Sequence, residues 1–241
     1  MCTLSVILHG RLRDFLPSAQ WETPVETSCR GGASLKHVIE SMGFPHPETG
    51  RVTVNGAPAD LSRRMRGGER VEVFPIEGFT GHEARFVADV HLGRLARYLR
   101  LLGFDTAYSN RADDPHLAAR SAREDRILLT RDRALLFRAC VRQGYFVRSG
   151  DARGQLDEVV RRYELRDRVM PFARCLRCNG ALESVEKSAV LERIPPKTRL
   201  WLDEYFRCTG CDQLFWPGSH HARMLEFLES AGLYAPKARR A

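Results

Sequence analysis

Apolar and polar positions change their period along the chain. Residues 3–9 form a β-rich run. The stretch GGASLKHVIESMG at 31–43 then sets Leu35, Val38, Ile39 and Met42 at helical spacing, with Ser34 as N-cap and Gly43 as stop. RVTVNGAPADL supplies a short strand with an Asn-Gly turn at 55–56, and GGERVEVFPI a closing strand with Val71, Val73 and Phe74. From residue 85 strands alternate with helices, as in an α/β sheet. RFVAD (85–89) is the first strand. In the helix after it, Leu92, Leu95, Ala96, Leu99 and Leu102 share one face, with Arg94, Arg97 and Arg100 on the other and Gly103 at the end. FDTAYS is a second strand, followed by a helix for which Asp114 and Pro115 read as N-cap and first position. RILLT is the third strand, YFVRS the fourth, and QLDEVVRRYEL a closing helix.

The stretch ILLTRDRALL at 127–136 sets a continuous apolar run against a charged carboxylate. The run reads as a strand buried on both faces, and Arg133 to Gln143 as a helix stopped by Gly144. Asp132 between them is a helix cap or a functional acid, and the stretch alone leaves both open. The other strands repeat the arrangement. Asp89 ends the first, Asp113 and Asp114 follow the second, and Asp151 follows the fourth. Caps and loops account for Asp114, Asp132 and Asp151 equally well; Asp89 has no evident cap role. Ligands of an open parallel sheet bind beyond the carboxyl ends of its strands. Carboxylates gathered there repel one another unless cations are present, and Mg²⁺ or Mn²⁺ prefer such oxygen ligands. These ions activate water and stabilise charge on a phosphodiester, and Arg94, Arg97, Arg131 and Arg133 are candidates to hold its phosphates.

Composition narrows the class. Hydrophobic residues at 43% and charged residues at 28% are ordinary for a soluble globular protein. No apolar stretch approaches the roughly 18–20 residues that span a bilayer. MCTLSVILHGRLRDFL lacks a basic leader before its apolar run, so a cytoplasmic, membrane-free protein is expected. The net charge of +8 is uneven: residues 1–81 are neutral, 82–170 carry +5 and 171–241 carry +3. The middle excess suits an acidic polymer as partner.

The seven cysteines include two C-x-x-C pairs, Cys175/Cys178 and Cys208/Cys211, with 29 residues between the pairs. This two-knuckle spacing is that of a zinc ribbon, and four thiolates suit closed, structural Zn²⁺. A redox role is disfavoured, because neither pair opens a helix after a strand. So small a segment draws its folding energy from the metal. Cys2, Cys29 and Cys140 read as ordinary small apolar residues. Beyond the second knuckle Ser219 reads as the N-cap of an amphipathic helix, where His220, His221 and Arg223 either meet a phosphate or form a plain surface. The final PKARRA reads as a disordered basic tail.

The stretches DVHLGRLARYLRLLGFDT, DDPHLAARSA, RILLTRDRALL and YFVRS, then RCLRCNGALE and FWPGSHHARM, resemble a known family. It is the PIN-like RNase domain named after the C-terminus of the nematode Mut-seven exonuclease, and the resemblance covers about two thirds of the chain. It implies a metal-dependent ribonuclease whose acids fall on Asp89, on Asp114 with Asp113 adjacent, and on Asp132, with Asp151 alone available as a fourth. Asp132 is then implied to bind Mg²⁺ or Mn²⁺ whether or not it also caps a helix. Residues 1–80 resemble a β-grasp, ubiquitin-like domain and are similar to the small sulfur carriers of thiamine and molybdopterin synthesis. Those carriers act through a terminal Gly-Gly. Here the chain runs on through EGFTGHEARF, so a fused module that binds a protein partner is expected instead.

The expected organisation is a ubiquitin-like domain at 1–80, a linker at 78–83, a PIN-like parallel sheet with flanking helices at 84–170, and a zinc ribbon with a C-terminal helix at 171–235. RNA is the expected substrate. Two competing readings are a non-catalytic RNA-binding or adaptor protein on a degenerate PIN fold, and a phosphatase-like α/β enzyme. The latter is weakened because ADVHLG lacks the D-x-D-x pattern of haloacid-type phosphatases.

Overall fold

The computed structural model describes residues 2–78 and 83–234. Most of the expected linker, and the whole PKARRA tail, lie outside the described residues.

The first segment is a mixed five-stranded sheet built from β1 (Cys2–Leu8), β2 (Val25–Cys29), β3 (Thr49–Val54), β4 (Ala57–Ala59) and β5 (Arg70–Pro75), in the order β2-β1-β5-β3-β4. β1 and β5 run parallel at its centre and the other pairs are antiparallel, the β-grasp arrangement. Helix α1 (Leu35–Ser41) is capped by Ser34, whose hydroxyl accepts the His37 N–H, and buries Leu35, Val38 and Ile39. These join Leu4, Val6, Val52 and Val71 in one core, separate from the cores that follow. Gly56 takes φ +81° in the Asn-Gly turn between β3 and β4, a conformation open to glycine at little cost.

The second segment is a four-stranded, all-parallel sheet in the order β7-β6-β8-β9. Its strands are β6 (Phe86–Ala88), β7 (Thr106–Tyr108), β8 (Ile127–Thr130) and β9 (Gly144–Phe146). The helices between and after them are α2 (Gly93–Leu101), α3 (Asp114–Glu124), α4 (Arg133–Leu136) and α5 (Ala152–Arg162). Residues alternate between the two faces of the sheet. Phe86, Ala88, Ile127 and Leu129 meet the apolar stripes of α2 and α5, while Val87 and Leu128 meet Leu117, Ala118 and Leu136 on the other side. Burial on both faces explains why the strands read as continuous apolar runs.

The expected helix from Arg133 to Gln143 stops at Leu136. Gly144 is not its stop but the first residue of β9, and a Cβ there would lie 2.6 Å from Leu136 Cδ2. Close packing of that strand against α4 requires the glycine. Arg100 also departs from expectation. It is buried rather than on the solvent face, because the cysteine segment covers that part of α2 and satisfies the guanidinium with carbonyls. Its Nε donates to Thr106 O at 2.9 Å, and its Nη1 to Leu176 O and Arg177 O at 3.2 and 3.1 Å.

The third segment is a small antiparallel sheet of β10 (Leu182–Ser184), β11 (Phe206–Cys208) and β12 (Leu214–Phe215), with a short α6 (Pro196–Arg199) and the long α7 (Ser219–Ser230). Gly218, not Ser219, is the N-cap of α7. Leu228 and Leu233 enter the core beneath α2 and α5, so this last helix and the parallel sheet share one core.

The ubiquitin-like segment docks beside β9, the outer strand of the parallel sheet. Glu48 accepts the Phe146 N–H at 2.6 Å and pairs with Arg148 at 3.0 Å, and Arg11 donates to the Tyr145 hydroxyl at 2.8 Å. Among the described residues, no helix is long and apolar enough to cross a membrane.

Candidate active site and metal centre

In the order β7-β6-β8-β9 the chain crosses to one side of β6 to make β7, then to the other side to make β8. The direction of winding therefore reverses between β6 and β8, and crevices of this kind bind ligands in open α/β sheets. Asp89 leaves β6 at that place and Asp132 leaves β8. Asp89 is 4% exposed. Its Oδ1 accepts the Val90 N–H at 2.5 Å, capping a single 3-10 turn, a cap role the sequence did not reveal. Its Oδ2 accepts the hydroxyl of Thr130 at 2.8 Å, and that same hydroxyl oxygen accepts the Asp132 N–H at 2.8 Å. One fully buried threonine thus ties the two strand ends together.

Asp132 does cap α4, its Oδ1 accepting the Ala134 N–H at 2.8 Å. Asp113, not Asp114, caps α3. It accepts the His116 N–H at 3.0 Å and meets the His116 ring at 2.6 Å, whereas Asp114 stands one place inside the helix. That shift of one position leaves the Asp114 carboxylate without a hydrogen bond or ion pair to any described residue. Asp151 caps α5 through the N–H groups of Arg153 and Gly154, both at 3.0 Å. These N–H donors hold its carboxyl below the usual range.

The acids do not close into a tight cluster. Among the described residues, the only group of three or more potential ligands with all ligand atoms within 4.8 Å of one another is that of the four cysteines. The donor chemistry at the sheet edge nonetheless fits a hard cation. Three carboxylates are buried among the described residues. Glu48 pairs with Arg148 at 3.0 Å and Glu69 with Arg63 at 2.9 Å, but Asp89 has no basic partner. A buried carboxylate without a counter-charge is costly, and a bound cation removes that cost.

Of the four arginines singled out from the sequence, two are engaged within the protein. Arg131 donates to the carbonyls of Arg148 and Ser149. Arg133 lies over the rings of Phe15 and Phe146, 4.8 and 5.2 Å from their centroids. Arg94 and Arg97 are exposed on α2 and make no side-chain hydrogen bond or ion pair with a described residue. Two further residues shape the edge and carried no signal of their own. The Tyr108 hydroxyl donates to Val90 O at 3.0 Å, next to Asp89. It lies so near Gly93 that a Cβ there would come within 2.6 Å of the oxygen.

The gathering of the four cysteines was legible in their spacing. Cys175, Cys178, Cys208 and Cys211 gather their sulfurs, with Cys175–Cys211 at 3.8 Å and Cys178–Cys208 at 3.3 Å. A tetrahedral ion with metal–sulfur bonds of about 2.3 Å sets sulfurs about 3.8 Å apart, so the set fits zinc and leaves no open position. The N–H groups of Gly180 and Gly210 point at Cys178 and Cys208 at 3.4 and 3.3 Å, donors that favour thiolates. The first knuckle is also bound to the parallel sheet. Asn179 accepts the Thr106 N–H at 2.8 Å and donates to Asp105 at 2.6 Å. Elsewhere, Cys2 and Cys29 prove to be a cross-strand pair on β1 and β2, their sulfurs 2.8 Å apart.

With this arrangement in view, the family is decided by one match: the model of the Mut7-C RNAse domain fits residues 84–228. The chain belongs to that family. A second model, the Mut7-C ubiquitin, fits residues 1–79. The Mut7-C match covers the parallel sheet, the cysteine centre and most of α7, and the RNAse domain it describes supports a nuclease role. No curated protein matches the chain. Two solved structures align with 32% of this chain over their whole length, each with a TM-score of 0.26. They are the small archaeal modifier protein 1 of H. volcanii, 16% identical, and a putative molybdopterin converting factor subunit 1 from Pyrococcus furiosus, 18% identical.

Proposed function

We propose that the Mut7-C segment hydrolyses RNA phosphodiester bonds with Mg²⁺ or Mn²⁺ held by Asp89, Asp114 and Asp132. The observation that carries this reading is the burial of Asp89, unpaired, where the winding of the parallel sheet reverses. A divalent ion there supplies a water acidified for attack and offsets the charge that builds on the phosphate. The chain's own residues do the positioning. Thr130 fixes one Asp89 oxygen, the Val90 N–H fixes the other, and the Thr130 hydroxyl oxygen anchors the backbone of Asp132. Asp113 is spent on its cap and on His116, so we assign it support of the helix start rather than a ligand role. Arg94 and Arg97, exposed and uncommitted on the adjoining helix, would hold substrate phosphates. Zinc on the four cysteines is structural. The ubiquitin-like segment acts as an adaptor for a protein partner, one side of it already docked on β9.

The test is cleavage of a labelled mixed RNA pool by the zinc-loaded protein, with and without added Mg²⁺ or Mn²⁺. Cleavage that needs the added ion and is lost in Asp89→Asn supports the reading. RNA binding with no cleavage under any divalent ion favours the adaptor instead.

A further inference from the structure

Helix α2, the first cysteine knuckle and the turn from β12 into α7 enclose an open groove of about 1130 Å³. It exceeds the roughly 300–1000 Å³ typical of small-molecule clefts. Gly93 and Tyr108 bound it on the side of the carboxylate edge, four residues from Asp89 along the chain and one hydrogen bond from Val90. We propose that this groove is a track for single-stranded RNA, leading the strand to the carboxylates with its phosphates on arginines and its bases on aromatic rings. The proposal rests on the ribonuclease reading above and names its substrate as unpaired RNA.

Charge points to a polyanion. Arg94, Arg97, Arg174 and Arg177 line the groove against one acid, Glu204. Arg94, Arg97 and Arg177 have no ion pair or side-chain hydrogen bond with a described residue, so their charge is free for a ligand. Arg100, also in the wall, is committed to carbonyls and has a structural part.

The rings point to unpaired bases. Phe172, Phe206, Phe215 and Trp216 line the same groove, each only half-buried. Phe172 has φ +62°, a left-handed conformation that a bulky residue rarely adopts, and its ring lies 4.1 Å from that of His221. Such an outlier persists only where its surroundings hold it, here the core beside it and the His221 ring. Stacking on aromatic rings accepts any base, because every base has a π-face, whereas a duplex keeps those faces inside. An acidic peptide would use the arginines and leave the rings idle.

The experiment measures binding of fluorescein-labelled oligouridylate by anisotropy, using the full chain with its zinc and no added Mg²⁺ or Mn²⁺. Arg94→Ala with Arg97→Ala should weaken binding about tenfold and lower the slope of log affinity against log salt by about 1.4, two single-strand phosphate contacts. Trp216→Ala should cost about tenfold or more, and Trp216→Phe should restore most of it. Trp216 also packs near Tyr205, 6.3 Å between centroids, so the arginine pair keeps the test valid if the tryptophan variant fails to fold. Wild-type affinity in the arginine variant, or better competition by an oligouridylate–oligoadenylate duplex or by polyglutamate, overturns the track. Loss of binding in the groove variants together with no cleavage by wild type would keep the track and remove the nuclease reading. Cleavage with unchanged binding would remove the track alone.

Discussion

Thr130 gives its hydroxyl proton to Asp89 across 2.8 Å and takes the N–H of Asp132 on the same oxygen. The contact joins neighbouring strands at the point where the sheet changes its direction of winding, with Thr130 fully buried and Asp89 4% exposed. Thr130→Val keeps the shape and removes the donor, leaving Asp89 with a single N–H. Unfolding free energy should fall by about 1–3 kcal/mol, the cost of an unsatisfied buried group. RNA cleavage should fall further than stability explains, and Thr130→Ser should recover it. Urea titrations beside single-turnover rates decide the matter; an unchanged rate in the valine variant would make the threonine a packing residue only.

Asp132 holds two jobs that one substitution separates. Asp132→Asn keeps an oxygen for the Ala134 N–H, now at 2.8 Å, so the cap and the melting temperature should be nearly unchanged. The amide carries no charge to hold a divalent ion, so cleavage should fall by a factor of a hundred or so, about 3 kcal/mol of transition-state stabilisation. A stable Asp132→Asn protein that cleaves at the wild-type rate would reduce Asp132 to a cap.

How far the sequence reaches differs between elements for physical reasons. The strand Ile127–Thr130 and the helix from Leu35 were readable because burial on both faces, or on one stripe, imposes a period on the residues themselves. The cysteine cluster was readable because its four residues come in pairs at fixed local spacing. The end of α4 was not, because what fixes it is Gly144 meeting Leu136 across the turn. The same holds for Arg100, whose burial depends on a knuckle 76 residues away. Thr130 belongs to this class as well. A hydroxyl among apolar neighbours shows its use only when the partner strand is in place.

Zinc removal should disturb more than the ribbon. Arg100, Asn179 and Thr106 connect the first knuckle to α2 and β7, and α7 contributes Leu228 to the core beneath α2. Cys178→Ser should therefore unfold the ribbon and also raise hydrogen exchange along β7, while β1–β5 keep their protection in a core of their own. The intact protein should hold one Zn²⁺ per chain by elemental analysis. Unaltered exchange in β7 after zinc loss would mean that the two parts are stable independently.

One buried acid, Glu48, stands among the contacts that dock the ubiquitin-like segment, beside Arg11 on Tyr145 and His46 on the Val141 carbonyl. Glu48 accepts from both Phe146 N and Arg148, and Arg148 also reaches Asp14 at 2.9 Å. Burial pushes the Glu48 carboxyl above its usual range despite the Arg148 charge beside it. Glu48→Ala removes one partner of a buried pair and strands an N–H, a change that typically costs about 3–5 kcal/mol. Thermal unfolding should then split into two steps, with β1–β5 separating from the parallel sheet, and protease should gain access near residue 78. A single unchanged transition would show that other contacts hold the segments together.

Acid sensitivity should trace to Glu124. Burial alone would raise its carboxyl, but hydrogen bonds from Arg126, Arg123 and Arg120 outweigh burial and hold it at about 2, against an ordinary 4.5. The contacts are short: Arg126 Nε at 2.6 Å, Arg123 Nη2 at 2.8 Å and Arg120 Nε at 3.1 Å. Because the folded value lies below the unfolded one, the unfolded chain binds the proton first as pH falls. The stabilisation is therefore complete above 4.5 and is lost progressively as pH drops from there toward 2. Glu124→Gln should weaken the protein at neutral pH and flatten its stability across that window. Urea midpoints for both proteins at about pH 6, 4 and 3 make the comparison. Parallel curves for the two proteins would assign the acid response to other carboxylates, with Asp105 next because Arg126 grips it as well at 2.7 Å.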